Sequence, residues 1–249
     1  MEPLTDQAYW EDYYSNSITK RSQIESVASV YDTYWDMIVD NNTTGTNPKT
    51  IIEIGGYPGR YLAYLASKYN LVPTSLDFNS DKVKIQESMA AFGITEYDIV
   101  QADIFKHQPT QKYDIVISNG FIEHFDNFNE VLDKHCLYLK DNGTLLIMIP
   151  NKRGLRKWYG LALDYKNLKA HNLKCMSKKT FSDFAKRNNL QTLELTYFGG
   201  FPFSLHQKSN FIQKSIYKVA RLFFKKANPF LAKHPSRFYS STIMSVYKK

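Results

Sequence analysis

The sequence predicts an α/β fold, a doubly wound and mostly parallel sheet with helices on both faces. Three observations predict it. From residue 49 to residue 150, short β-branched runs alternate with segments of helical character. The first run ends in Gly55-Gly56, a turn that feeds directly into a helical segment. The 249-residue chain is also long enough to bury a full core, and its two cysteines, Cys136 and Cys175, are too few for a disulfide framework.

Residues 1–47 read as an N-terminal helical cap. Ile24, Val27, Ala28, Tyr31, Trp35 and Ile38 recur at spacings of three and four, one apolar stripe of a helix. The polar run 41–48 separates this cap from the main domain, 48–249. There, 50–54 is the first strand, 60–69 the first helix and 71–76 the second strand, ended by Asp77. Ser80 or Asp81 can cap a helix reaching Phe92, with Gly93 as its stop. Strands follow at 97–100 and 113–118, and Asp126 can cap a helix to Leu139. Asn142-Gly143 turns into a fifth strand, 144–149, closed by Pro150. A basic insertion, 151–176, leads to a helix starting near Ser177 and a strand at 192–197. A second insertion, 199–238, contains a helix and precedes the seventh strand, 240–247. With no clear crossover helix between the last two strands, the final one is expected to run antiparallel.

The net charge of +8 is unevenly placed. After Glu194 no acidic residue occurs, while ten basic ones do, so the rest of the chain holds 22 basic and 24 acidic residues. No basic start or apolar run marks a secretory signal, and no stretch approaches the roughly 18 apolar residues of a membrane span. A cytoplasmic protein is expected, free or peripheral to a membrane.

Ligands of open α/β sheets bind beyond the carboxyl ends of the strands. After the first strand stands Glu53-Ile54-Gly55-Gly56-Tyr57-Pro58-Gly59-Arg60. Its glycines allow a sharp turn and close approach of a ligand, and the next helix offers N–H groups to an anion. The same turn serves equally as a bare strand-to-helix connection. Asp77, at the end of the second strand, can accept hydrogen bonds from both hydroxyls of a ribose, or can act as a turn residue. Gln101-Ala102-Asp103-Ile104 follows the third strand, and the fourth runs through Ser118-Asn119-Gly120-Phe121-Ile122-Glu123-His124-Phe125.

These four stations, in this order, resemble the class I S-adenosylmethionine-dependent methyltransferase family. The likeness is good over 49–150 and looser in the closing strands. It implies a Rossmann-like seven-stranded sheet and S-adenosylmethionine as cofactor. It further implies that Glu53 anchors the glycine loop, that Gly55, Gly56 and Gly59 line the methionine end, and that Asp77 holds the ribose. Phe78 would lie against the adenine, Asp103 and Ile104 would bracket it, and Asn119 would face the methionine part through its backbone. Tyr57 departs from the family's usual glycine and is expected to point away from the cofactor.

Methyl transfer from a sulfonium needs chiefly alignment of donor and acceptor. A hydroxyl acceptor also needs a base, for which His124 is the candidate, with local scaffolding as its other reading. Tyr9, Tyr14, His171 and His206 could also reach the mouth, and nothing in their spacing selects one. Tyr9, Trp10, Tyr13 and Tyr14 suit a flap over the site, or packing.

The expected acceptor is an oxygen or nitrogen of a small molecule or of a glycan or lipid-linked precursor. Both insertions are basic, so an anionic acceptor fits. Phe211, Ile212, Ile216, Val219, Ala220 and Phe223 form an apolar helix face with Lys214, Lys218, Arg221 and Lys225 around it. Residues 209–226 could lie on an anionic membrane, or form a lid with a solvated lysine face. Nucleic acid is disfavoured, because Ser118-Asn119-Gly120-Phe121 replaces the Asp/Asn-Pro-Pro-aromatic run of base-modifying relatives. An NAD-dependent oxidoreductase would need Gly-x-Gly-x-x-Gly, which is absent. A non-catalytic cofactor-binding or scaffold protein is the reading from another class. The sequence leaves the oligomeric state open.

Overall fold

Ile51 and Ile52 are neighbours in the strand Thr50–Ile54 (β1), and the two-residue period of a strand sends them to opposite faces of the sheet. Both are buried, and so are Ile115, Val116 and Ile117 of Tyr113–Asn119 (β4). Strands that bury both faces must be covered by helices on both sides.

The computed structural model describes residues 4–14, 20–40, 48–79, 81–203, 205 and 210–249. The remaining strands are Val72–Asp77 (β2), Asp98–Gln101 (β3), Leu139–Pro150 (β5), Gln191–Phe198 (β6) and Thr242–Lys248 (β7). They form one seven-stranded sheet in the order β3-β2-β1-β4-β5-β7-β6. β1 pairs in parallel with β2 on one side and β4 on the other, which is where strand order reverses. β7 is antiparallel to both β5 and β6.

One face is covered by Arg21–Ala28 (α2), Asp32–Asp40 (α3), Arg60–Tyr69 (α4) and Val83–Ala91 (α5), which follow Gln7–Tyr14 (α1). Ile24, Trp35, Ile38, Leu62 and Met89 meet Ile51, Ile115 and Ile117 there. The other face is covered by Phe128–His135 (α6) and Lys178–Arg187 (α9), whose Val131, Phe181 and Phe184 meet Ile52, Val116 and Ile147. Each such fully buried apolar side chain stabilises the fold by roughly 1.5–3 kcal/mol.

The structure differs from the sequence reading in four elements. α6 follows Asn127, not Asp126, and ends at His135, short of Leu139. β5 starts at Leu139 and carries Asn142-Gly143 inside it as a bulge, with Asn142 at φ 62 and a register shift opposite Tyr113 and Ile115. α5 starts at Val83, because Asp81 Oδ1 accepts the Val83 N–H two residues on and closes a turn instead of capping a helix; Ser80 lies outside the described residues, as do 41–47 of the linker. The basic connection after Pro150 folds as Leu155–Leu163 (α7) and Tyr165–Lys169 (α8).

The helix of the second insertion, Phe211–Lys233 (α10), opens with a capping box between Asn210 and Gln213. Its one buried residue is Phe224, stacked on Phe201 at 3.8 Å between ring centroids. Asn228 clamps the Phe201 backbone, accepting its N–H at 2.8 Å and donating to its carbonyl at 2.8 Å. No described helix is long and apolar enough to cross a membrane.

Candidate active site

The carboxyl ends of β1, β2, β3 and β4 open onto one cavity of about 350 Å³. Its construction starts at Gly55, whose N–H donates to the Leu76 carbonyl of β2 at 2.9 Å. Gly55 sits at φ 72, and a Cβ there would lie 2.4 Å from the Phe121 ring, so both the backbone and the packing require glycine. The turn is held from beneath by Asp77, which accepts the Tyr57 N–H at 3.0 Å and the Asn79 N–H at 2.8 Å. Burial pushes the Asp77 carboxyl up from its ordinary range, and those backbone donors pull it back down.

Of the residues singled out from sequence, Gly55, Asp77, Phe78, Asp103, Ile104 and His124 line the cavity. Phe78 is 63% exposed, an apolar ring presented at the wall beside a carboxylate. Asp103 closes its own turn by accepting the Phe105 N–H at 2.9 Å, which leaves its other oxygen 4.0 Å from the Lys106 ammonium. A carboxylate, an exposed ring, a second carboxylate and a buried isoleucine make a set that suits a ribose joined to a flat heteroaromatic ring.

Glu53, Gly56, Gly59 and Asn119 stand behind that wall. Gly56 packs on strand β2, where a Cβ would meet Ser75 Oγ at 2.5 Å, and Gly59 packs on Ile85 of α5. Asn119 donates its amide to Glu53 Oε1 at 2.7 Å, and burial pushes the Glu53 carboxyl up to about 8. Gly120 and Phe121 reach the cavity where Asn119 does not. Tyr57, expected to point away, is instead buried and lines the cavity, its ring edge-on to Tyr14 at 5.2 Å and its hydroxyl donating to Asp81.

The N-terminal segment roofs the site. Leu4 donates its N–H to the His124 carbonyl at 2.8 Å, and α1 brings Trp10 and Tyr14 to the wall. Trp10 stands edge-on to the His124 ring at 4.6 Å and donates its indole N–H to Thr5. Thr5, Gln7 and Asn79 also line the cavity, and no sequence pattern marked them.

At the far end, a 3₁₀ turn, Ile122–His124, buries Glu123 and His124 together. His124 Nδ1 lies 2.7 Å from the Ala170 carbonyl, which only accepts, so Nδ1 is assigned the proton and Nε2 keeps its lone pair. His171 repeats the arrangement, with Nδ1 at 2.6 Å from the Asn167 carbonyl and its ring 4.6 Å from that of His124. His206, the other histidine considered, lies outside the described residues. Burial pushes His124 down to about 4 and Glu123 up to about 8, so near neutral pH the imidazole is uncharged and the proton sits on the carboxyl. Glu123, His124 and His171 offer atoms within 4.8 Å of one another, the spacing of a metal site. Burial first, and then the Lys152 charge, hold both histidines below their ordinary range.

A family model described as a methyltransferase domain matches residues 31–195. Probable (S)-tetrahydroprotoberberine N-methyltransferase 2 of Papaver bracteatum is 25% identical over 101 residues, which are 40% of this chain and 28% of that protein. The match thus spans little more than a quarter of that relative's length. Two solved structures share the fold. A SAM-dependent methyltransferase from Archaeoglobus fulgidus aligns with a TM-score of 0.56 and 17% identity, over 98% of this chain and all of its own. The N-methyltransferase NodS from Bradyrhizobium japonicum, in complex with S-adenosyl-L-homocysteine, aligns with a TM-score of 0.55 and 10% identity, over 98% and 99%.

Proposed function

The chain belongs to the methyltransferase-domain family, and on that premise we propose that it transfers a methyl group from S-adenosylmethionine to a nitrogen or oxygen of a small molecule. The observation that carries this reading is one cavity with two ends. Asp77, Phe78, Asp103 and Ile104 line one end and an uncharged His124 the other.

S-adenosylmethionine supplies a methyl group on a positively charged sulfur, already activated for in-line displacement. In this reading Asp77 accepts the ribose hydroxyls, Phe78 and Ile104 pack on the adenine, and Asp103 accepts its amino group. Glu53, Gly56, Gly59 and Asn119 shape the loop from behind, while Gly55 and Gly120 let the backbone come close at the methionine end. Trp10 and Tyr14 cover the site and exclude water.

His124 is proposed to orient the acceptor. Its Nε2, which keeps its lone pair 3.7 Å from the Glu123 carboxyl, accepts a hydrogen bond from the acceptor's N–H or O–H and takes that proton as the new bond forms. An uncharged imidazole at that end also favours the unprotonated amine, whose lone pair must attack. N-methyltransferases among the similar proteins support nitrogen as the attacking atom.

The test is calorimetric titration with S-adenosylhomocysteine, with NAD as control, followed by turnover on a panel of amines and phenols. Binding of S-adenosylhomocysteine but not NAD is expected. His124→Gln should lower kcat on the best acceptor by on the order of 100-fold with that binding unchanged. Binding of NAD in its place would overturn the reading.

A further inference from the structure

A long helix at a protein surface normally turns its apolar side inward. α10 does the reverse. Phe211, Ile212, Val219, Leu222, Phe223 and Phe230 are each between 65% and 84% exposed, while Phe224 alone is buried. At about 100° per residue, these six occupy an arc of roughly 120° on the side away from the Phe224 and Asn228 anchors. The helix is therefore tied down by one side and offers a wide apolar face on the other.

The charges are arranged around that face. Lys214, Lys218, Arg221 and Lys225 fall together along one of its borders, Lys226 and Lys233 within the arc, and all are exposed. The helix contains no acidic residue. The neighbouring first insertion extends the same character. Gln213 Nε2 donates to the Ala162 carbonyl at 3.0 Å, fixing α10 beside α7. There Trp158 is 68% exposed, Leu155 46% and Leu161 41%, beside an exposed Lys157. Two elements far apart in sequence thus share one surface character, large apolar side chains with basic residues at their border.

From this surface we infer that α10, with α7 beside it, docks on an anionic phospholipid bilayer. It lies in the interface, with the phenylalanines and Trp158 among the acyl-chain ends and the lysines against phosphate headgroups. Exposed bulky apolar side chains with a Lys/Arg border are what such helices bury. The charges also exclude other occupants. A second copy would bring two wholly basic faces together, which repel. A nucleic acid would neutralise the lysines but leave six apolar side chains in water. No residue of α7 or α10 lines the cavity, and docking through them does not depend on methyl transfer.

The experiment is co-sedimentation of the full chain with vesicles of phosphatidylcholine containing phosphatidylglycerol, against pure phosphatidylcholine, with Trp158 fluorescence as a second readout. Binding to the anionic vesicles, weakened at least tenfold between low and high salt, and a blue-shifted emission are expected. Val219→Asp with Phe223→Asp should lower partition at least tenfold with S-adenosylhomocysteine binding unchanged, because both side chains are solvent-exposed and, among the described residues, Phe223 meets the domain side only through its edge-on contact with the Phe224 ring. Lys218→Glu with Lys225→Glu should remove the preference for anionic lipid. The inference is overturned if the chain ignores anionic vesicles at low salt, or if the Val219/Phe223 variant binds as well as the parent. It is equally overturned if sedimentation in free solution shows this face buried in an oligomer that the same variant dissolves.

Discussion

The cavity rim and the C-terminal insertions sit at the same edge of one sheet and obey opposite rules. Around the cavity, charged and polar side chains are drawn inside: Glu53, Glu123 and His124 are nearly inaccessible, and burial pushes the two carboxyls up and the imidazole down. In α10, large apolar side chains are turned outside and the lysines around them stay in water. Each arrangement costs stability on its own, since buried polar groups lose hydration and exposed apolar ones order water. A fold keeps such features where a ligand or a surface returns the cost, and the two regions differ in which partner would do so.

The contrast is broken most severely at Asp77. Asp77→Ala removes a carboxylate that holds the Tyr57 and Asn79 amides and faces the cavity, so S-adenosylhomocysteine affinity should fall by on the order of 100-fold, about 3 kcal/mol, read by calorimetry. Next comes a pair of glycines with nearly the same φ, 72 at Gly55 and 71 at Gly93. Gly93→Ala meets nothing within 4 Å and should cost about 1 kcal/mol, from backbone strain alone. Gly55→Ala adds a clash with Phe121 and should cost about 2–4 kcal/mol in a denaturant melt.

The buried acids give a smaller effect with a defined sign. Glu53 and Glu123 are raised to about 8 from an ordinary 4.5, so the folded chain holds more protons than the unfolded one between those values. Their contribution is complete below pH 4.5 and is lost as pH rises through 8. His124 and His135, lowered to about 4 from 6.5, act oppositely and lose theirs as pH falls from 6.5 through 4. The two pairs offset one another between pH 4.5 and 6.5, so melting temperature should be level across that window and fall as pH rises from 6.5 through 8. Glu123→Gln should flatten the alkaline side by about 1.4 kcal/mol per pH unit. The smallest effect belongs to α10. Leu222→Ala, 68% exposed, should change stability by less than about 0.5 kcal/mol. Phe224→Ala removes the ring stacked on Phe201 and should release the helix to proteolysis.

Much of this molecule is legible in one dimension. A strand's side chains alternate at every second residue and a helix returns at every third or fourth, so runs such as 50–54 and 113–118 disclose both their state and their burial. The antiparallel last strand follows from connection length, and the order of Gly55, Asp77, Asp103 and Ile104 from the rule that ligands sit at strand ends. These are local or topological regularities, and local sequence carries them. The bulge at Asn142-Gly143 shows the limit. The dipeptide specifies a kink, and only pairing with β4 decides that the kink lies inside a strand.

Tertiary structure decided the rest, because each remaining feature depends on residues distant in the chain. Tyr57 lines the cavity because Asp77 and Asp81 hold it there, and Asn119 turns inward to Glu53, 66 positions away. The proton state of His124 is set by burial beneath Trp10 and by a carbonyl at Ala170. Which side of α10 faces the domain was beyond its periodicity, since apolar residues occur all round it apart from the lysine-rich border. One ring stack with Phe201 and one amide clamp at Asn228 chose the side, and the wider apolar face was left exposed.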